Sequence, residues 1–146
     1  MRRLFTALAL AAAVSAAAAQ EVRVEFRAAA AEAAEGWSEM TAPDGAAYWV
    51  APEAVITNAD IERAEAALDP ASSMPVVHVS FTADGAKAFG AFTRDNVLGL
   101  IAIIIDGVVV SAPRINEPIL GGRAVISGNF TMEEAERIAR GIVAKE

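Results

Sequence analysis

The chain contains no cysteine, one histidine, one tyrosine and two tryptophans, and only 12 lysines and arginines against 19 aspartates and glutamates. Each shortage removes a class of function. Without cysteine there is no disulfide scaffold, thiolate zinc site, iron–sulfur cluster or cysteine nucleophile. His78 alone cannot complete a zinc site of three or four His/Cys ligands. A net charge of −7 argues against nucleic-acid binding, because little positive charge is available to neutralise a phosphate backbone. What is plentiful is apolar: 55% of 146 residues, a length that suits one modest domain without a second core.

Part of that apolar excess sits at the N-terminus. Met1-Arg2-Arg3 is a short basic start, 4–14 is an apolar run, and Ala17-Ala18-Ala19 offers small residues before Gln20. This three-part pattern predicts a secretory signal peptide over 1–19, too short to span a bilayer stably. No cysteine is present to acylate, so a lipoprotein is excluded. Removing Arg2 and Arg3 lowers Lys+Arg from 12 to 10 against 19 acids, leaving about −9 on an exported acidic chain, residues 20–146. The other long apolar stretch, 97–112, is interrupted by Asp106-Gly107 and reads as two buried strands and a turn. No membrane span is expected in the mature chain.

Alternation in Val22-Arg-Val-Glu-Phe26 predicts a strand. The segment 28–35 is rich in Ala and Glu with no large apolar residue, and is expected to form a loop or loose helical turn. Pro43-Asp44-Gly45 is a turn signal, and Tyr48-Trp49-Val50 a short strand closed by Pro52. Composition over 58–68 favours helix, although Ala64, Ala66 and Leu68 also fit a strand. Pro75-Val-Val-His-Val-Ser-Phe81 is β-branched and strand-like. Ala86, Phe89, Phe92 and Val97 predict an amphipathic helix over about 84–97. Strands at 100–105 and 108–111 flank Asp106-Gly107, a hairpin signal, and 123–127 is a further strand. Thr131-Met-Glu-Glu134 is a capping box opening a helix with Ala135, Ile138, Ala139 and Ile142 as its buried stripe. The sum is α+β: a mostly antiparallel sheet with two helices packed on one face.

Chemistry is sparse. His78 is an ordinary strand histidine with no nucleophile placed beside it. Glu133, Glu134 and Glu136 suit the macrodipole of a helix N-terminus. Asp60, Glu62 and Glu65 lack the spacing of a calcium loop, and Asp106 is explained by its turn. There is no phosphate loop and no Gly-x-Ser-x-Gly elbow. Asn129-Phe130-Thr131 matches a glycosylation acceptor formally, but Thr131 already has a capping role. No cofactor, metal or catalytic residue is indicated, and an enzyme is not supported.

The least ordinary segment is the loop at 111–122, which mixes prolines, paired glycines and large aliphatics at a length that is usually functional or disordered. Either it folds Ile115, Ile119 and Leu120 back onto the sheet, or it contacts a partner. The candidate contacts are Pro113, Ile115, Asn116, Glu117, Ile119 and Leu120.

Two blocks in this half, Asp106-Gly-Val-Val-Val-Ser-Ala-Pro-Arg-Ile-Asn-Glu-Pro-Ile-Leu-Gly-Gly122 and Ile126-Ser-Gly-Asn-Phe-Thr-Met-Glu-Glu-Ala135, strongly resemble SecD, the accessory subunit of the bacterial protein-export translocase. The likeness is to the head part of its first periplasmic domain. Gly85-Ala-Lys-Ala-Phe89, Thr93-Arg-Asp-Asn96, Ile56-Thr-Asn-Ala-Asp-Ile61 and Glu25-Phe-Arg27 extend it over about 22–143. The resemblance implies a brief helical turn at about 58–63 and a strand at about 64–69, against composition. It also implies a periplasmic, non-enzymatic domain that binds a polypeptide client or a translocase or envelope protein, with exposed sheet edge adding main-chain pairing. SecD's membrane helices are not in this sequence, so proton-driven translocation is not carried over. The alternative is a periplasmic small-ligand-binding domain or a carboxylate-based enzyme.

Overall fold

The computed structural model describes residues 21–143. The expected signal peptide at 1–19 lies outside the described residues. Eight strands and two helices follow in the order β1 (Val24–Ala30), β2 (Ser38–Thr41), β3 (Ala47–Thr57), β4 (Ile61–Leu68), β5 (Pro75–Phe81), α1 (Ala83–Asp95), β6 (Leu100–Ile105), β7 (Val108–Ser111), β8 (Arg123–Ile126) and α2 (Met132–Ile142). A 3₁₀ turn, Asn58–Asp60, joins β3 to β4. The fold is α+β and its strand pairings are antiparallel.

The strands form two sheets rather than the one expected: β2-β3-β1-β6-β7 and β4-β5-β8. Alternation sets their faces. Val24 and Phe26 of β1, with Ile101, Ile103 and Ile105 of β6, turn one face of the larger sheet to the main core. Val77, Val79 and Phe81 of β5 do the same from the smaller sheet, and α2 covers it with Ala135, Ile138, Ala139 and Ile142. Three rings meet at the centre. Phe26, Phe81 and Phe89, from β1, β5 and α1, stand edge-to-face at centroid distances of 5.0–6.1 Å. Such pairs add about 0.5–1.5 kcal/mol each beyond their burial.

The other face of the larger sheet buries Ala29, Val50, Ala102, Ile104 and Val109. Its two edge strands, β2 and β7, come into contact, so the sheet curls around this smaller cluster. The β6–β7 hairpin turns through Asp106 (φ 49°) and Gly107 (φ 85°), both left-handed as a type I′ turn requires.

Several expectations change. The 28–35 segment is strand as far as Ala30, because β1 is hydrogen-bonded on both sides, to β3 and β6. Its alanines need no large face of their own there. β3 does not stop at Pro52 but runs eleven residues to Thr57. The β1–β3 register slips twice around Arg27, and Pro52 sits in that irregular stretch, where a ladder N–H is not required. Arg27 fixes the irregularity: its guanidinium donates to the carbonyls of Ala51 (3.0 Å) and Pro52 while pairing with Glu25 at 3.1 Å. β2 was not anticipated at all. The turn at Asn58–Asp60 and the strand after it follow the family likeness rather than composition, and that strand begins earlier than expected, at Ile61. Helix α1 ends at Asp95, so Val97 lies outside its buried stripe and is 41% exposed.

Threonine caps both helices, one expected from the sequence at Thr131 and one not singled out there, at Thr82. Thr82 Oγ1 accepts from the Gly85 amide at 3.0 Å. Thr131 Oγ1 accepts from the Glu134 amide at 3.0 Å while the Thr131 amide donates to Glu134 Oε1 at 2.9 Å, a complete capping box. The start and finish of the described fold lie together. Val22 N donates to Gly141 O at 3.1 Å.

Candidate functional site

The 111–122 loop is fastened in turn to β6, to the connection before it, to α1 and to β5. Leaving β7, it first extends the antiparallel ladder beside β6: Ile101 N donates to Pro113 O at 3.0 Å, and Leu100 bridges to Arg114. Ile115 N then donates to Gly99 O (2.8 Å), and Leu98 N to Ile115 O (2.6 Å). Ile119 N donates to the hydroxyl of Thr93, which is fully buried in α1 and itself donates back to its helix at Phe89 O or Gly90 O. Leu120 reaches Gly90, and Gly122 (φ 76°) comes against Ala86 before Phe81 N donates to Gly122 O at 2.9 Å.

This path sorts the six candidate contacts. Ile115 is 1% exposed and is part of the main core, so it anchors the loop and offers nothing to a partner. Ile119 packs against that core from a half-buried position. Pro113, Asn116, Glu117 and Leu120 are exposed. The loop thus folds back through two of its aliphatics while presenting the third, Leu120, at 64% exposure.

Leu98, which sequence spacing did not single out, belongs beside them. It is 65% exposed and has φ 79°, a left-handed conformation that a branched side chain rarely adopts. The hydrogen bond to Ile115 O holds it there.

The smaller sheet ends in two edge strands, β4 and β8. On its outer face His78 is exposed, between Glu65 and Val125 in register, in a depression it shares with Arg63, Ser80 and Arg123. Several carboxylates accept main-chain N–H groups of the fold. Asp60 Oδ2 accepts from Thr57 N, Asp44 Oδ1 from Ala46 N, and Asp106 Oδ1 from Arg23 N, at 2.9–3.0 Å. Asp69 accepts from both the hydroxyl and the amide of Ser72 at 2.9 Å, which holds its carboxyl below the ordinary value. Among the described residues no group of three His, Asp or Glu side chains could hold a metal ion.

A cleft lies at the root of the loop, between the 43–45 turn, β7 and the N-terminal half of α2. Its walls come from separate segments that only strand pairing brings together, which is why no spacing in the sequence announces it.

Comparison with known proteins gives a consistent answer. The pattern of the SecDF P1 head subdomain matches residues 35–144. Protein translocase subunit SecD of Acidaminococcus fermentans is 46% identical over 85 residues, which is 58% of this chain and 20% of that protein. SecD of Rickettsia bellii is 39% identical over 102 residues, 70% of this chain and 20% of the relative. This chain therefore spans about a fifth of the length of these relatives. Among solved structures, SecDF in its super-membrane-facing form superposes with a TM-score of 0.70 at 30% identity, covering 86% of this chain and 19% of that one. A structure described as a membrane component SecDF that enhances protein export gives 0.69 at 29% identity, over 86% and 64%. No helix among the described residues is long and apolar enough to cross a membrane.

Proposed function

The chain belongs to the SecDF P1 head family, and from that premise we propose that it is an exported, periplasmic, non-enzymatic domain that binds polypeptide, or an envelope or translocase partner, in connection with protein export. The observation that carries this reading is the pair Leu98 and Leu120, both about two-thirds exposed, on a loop and helix exit that are otherwise fastened into the core. A rigid support lets an exposed aliphatic bind without first losing conformational freedom. Pro113, Asn116 and Glu117 flank these two, and the open edges of β4 and β8 offer main-chain pairing to an extended chain.

The carboxylate-based alternative finds less support. Asp44, Asp60 and Asp69 each accept a main-chain N–H inside a turn or cap, and Asp106 accepts the Arg23 amide from the entry to β1, so these four carboxylates serve the fold.

NMR titration with an unfolded secretory polypeptide tests the reading. Amide shifts are expected over 97–99 and 111–122, reduced when Leu98 and Leu120 are both changed to Ser. An absence of shifts in these segments at high client concentration would remove it. Copurification with membrane translocase components, with and without the same two changes, separates partner docking from client binding.

A further inference from the structure

The cleft at the root of the loop has a volume of about 540 Å³. Both sequence blocks that carry the SecD likeness reach it, one through Val110 and Ser111, the other through Gly128 and Phe130. Its floor is apolar. Half-buried Val110 and Phe130 lie over buried Ile105 and Ile138. Gly128 seats the ring, since a Cβ there would stand 2.9 Å from Phe130 Cζ.

The rim is acidic. Asp44, Asp106 and Glu134 face it, with Arg137 as the only cation in the wall. Each carboxylate has one oxygen accepting a main-chain N–H, which leaves the other without a protein donor among the described residues.

We propose that this cleft accepts an extended polypeptide at one particular kind of residue pair: an aliphatic or aromatic side chain on the floor, followed by a lysine or arginine at the rim. The proposal rests on the polypeptide reading above and gives it a sequence preference. Three carboxylates against one guanidinium attract a cationic side chain and repel an acidic one, and the apolar floor rejects a polar residue.

Short peptides in a Gly/Ser background test it, one carrying Leu-Lys, one Leu-Glu and one Ser-Lys, each titrated by NMR into the isotope-labelled full chain. The Leu-Lys peptide is expected to shift the amides of Ser111, Gly128, Asn129 and Phe130, and to bind about tenfold more tightly than the other two. Asp44→Asn should narrow the gap between Leu-Lys and Leu-Glu. If all three peptides bind equally with shifts confined to 113–120, the cleft assignment falls and the polypeptide reading stands. If none binds, both fall. Cleft shifts with Leu-Glu preferred would overturn the charge assignment.

Discussion

The side-chain amide of Asn58 donates to the main-chain carbonyl of Ile142 at 3.0 Å, across 84 positions of sequence. The same nitrogen donates to Val22 O at 2.7 Å, and Asn58 Oδ1 accepts from Val24 N at 2.8 Å. One side chain in a 3₁₀ turn therefore ties the start of β1 to the end of α2. Asn58→Ala leaves one donor and two acceptors unpaired in a half-buried position, and should lower unfolding free energy by about 2–3 kcal/mol. Urea denaturation measures it. A loss below that of an exposed surface change would show that water replaces the amide.

Gly85 and Gly90 stand one and a half turns apart in α1, yet their alanine variants should differ in sign. A Cβ at Gly85 would meet Asp60 Cβ and the Asp60 carbonyl oxygen at 2.8 Å, where the 3₁₀ turn cannot retreat without pulling on β4. Gly85→Ala should destabilise by about 1–3 kcal/mol despite the better helix propensity of alanine. At Gly90 the nearest atom is Leu120 Cδ2 at 3.2 Å, the tip of an exposed and movable side chain. Gly90→Ala should be neutral or stabilising by up to about 1 kcal/mol. Thermal melts of the two variants side by side settle the point, and equal effects would contradict it.

Thr93→Val keeps the shape of a fully buried side chain and removes the acceptor of the Ile119 amide. A loss of about 1–2 kcal/mol is expected. Hydrogen exchange should localise it, with faster exchange at Ile119 and little change at the amides of β5. Uniform acceleration throughout the fold would mean that Thr93 serves the core and not the loop.

Asp69 supplies a pH signature. The Ser72 hydroxyl, and after it the Ser72 amide, lower its pKa from the ordinary 3.8. A depressed acid favours the folded state above the ordinary value, and that contribution is lost as pH falls through the lowered native value. NMR titration of the Asp69 carboxyl should give a midpoint below 3.8, and Ser72→Ala should move it upward. An unchanged midpoint in the variant would assign the shift to something other than Ser72.

Much of the fold was legible because the responsible signals are local. The capping box at Thr131, the hairpin at Asp106-Gly107 and the stripe Ala135, Ile138, Ala139 and Ile142 each need only a few neighbouring residues to be read. What escaped depends on distant partners. β1 continues through three alanines because β3 and β6 enclose it, and β3 survives Pro52 because Arg27, twenty-five residues away, holds the loosened carbonyls. Composition over 58–68 favoured helix, but in β4 the alternating Ala64 and Ala66 are small so that α2 can pack over that strand. At the candidate site, nothing in the sequence separates Ile115 from Leu120. Only the ladder between 113–115 and the start of β6 turns one inward and leaves the other out.

The bond between Val22 and Gly141 makes the head a cassette. A unit whose strands enter and leave through one doorway can be set into a longer host, or lifted out of it, without stretching the host at that point. It can also be rewired. Joining 21 to 143 by a short linker, which keeps Ile142 in the core, and opening the chain in the exposed 70–74 turn should give a circular permutant with the same fold. For a domain that spans about a fifth of its relatives, such portability means that the head can be studied, swapped and reinserted as one piece.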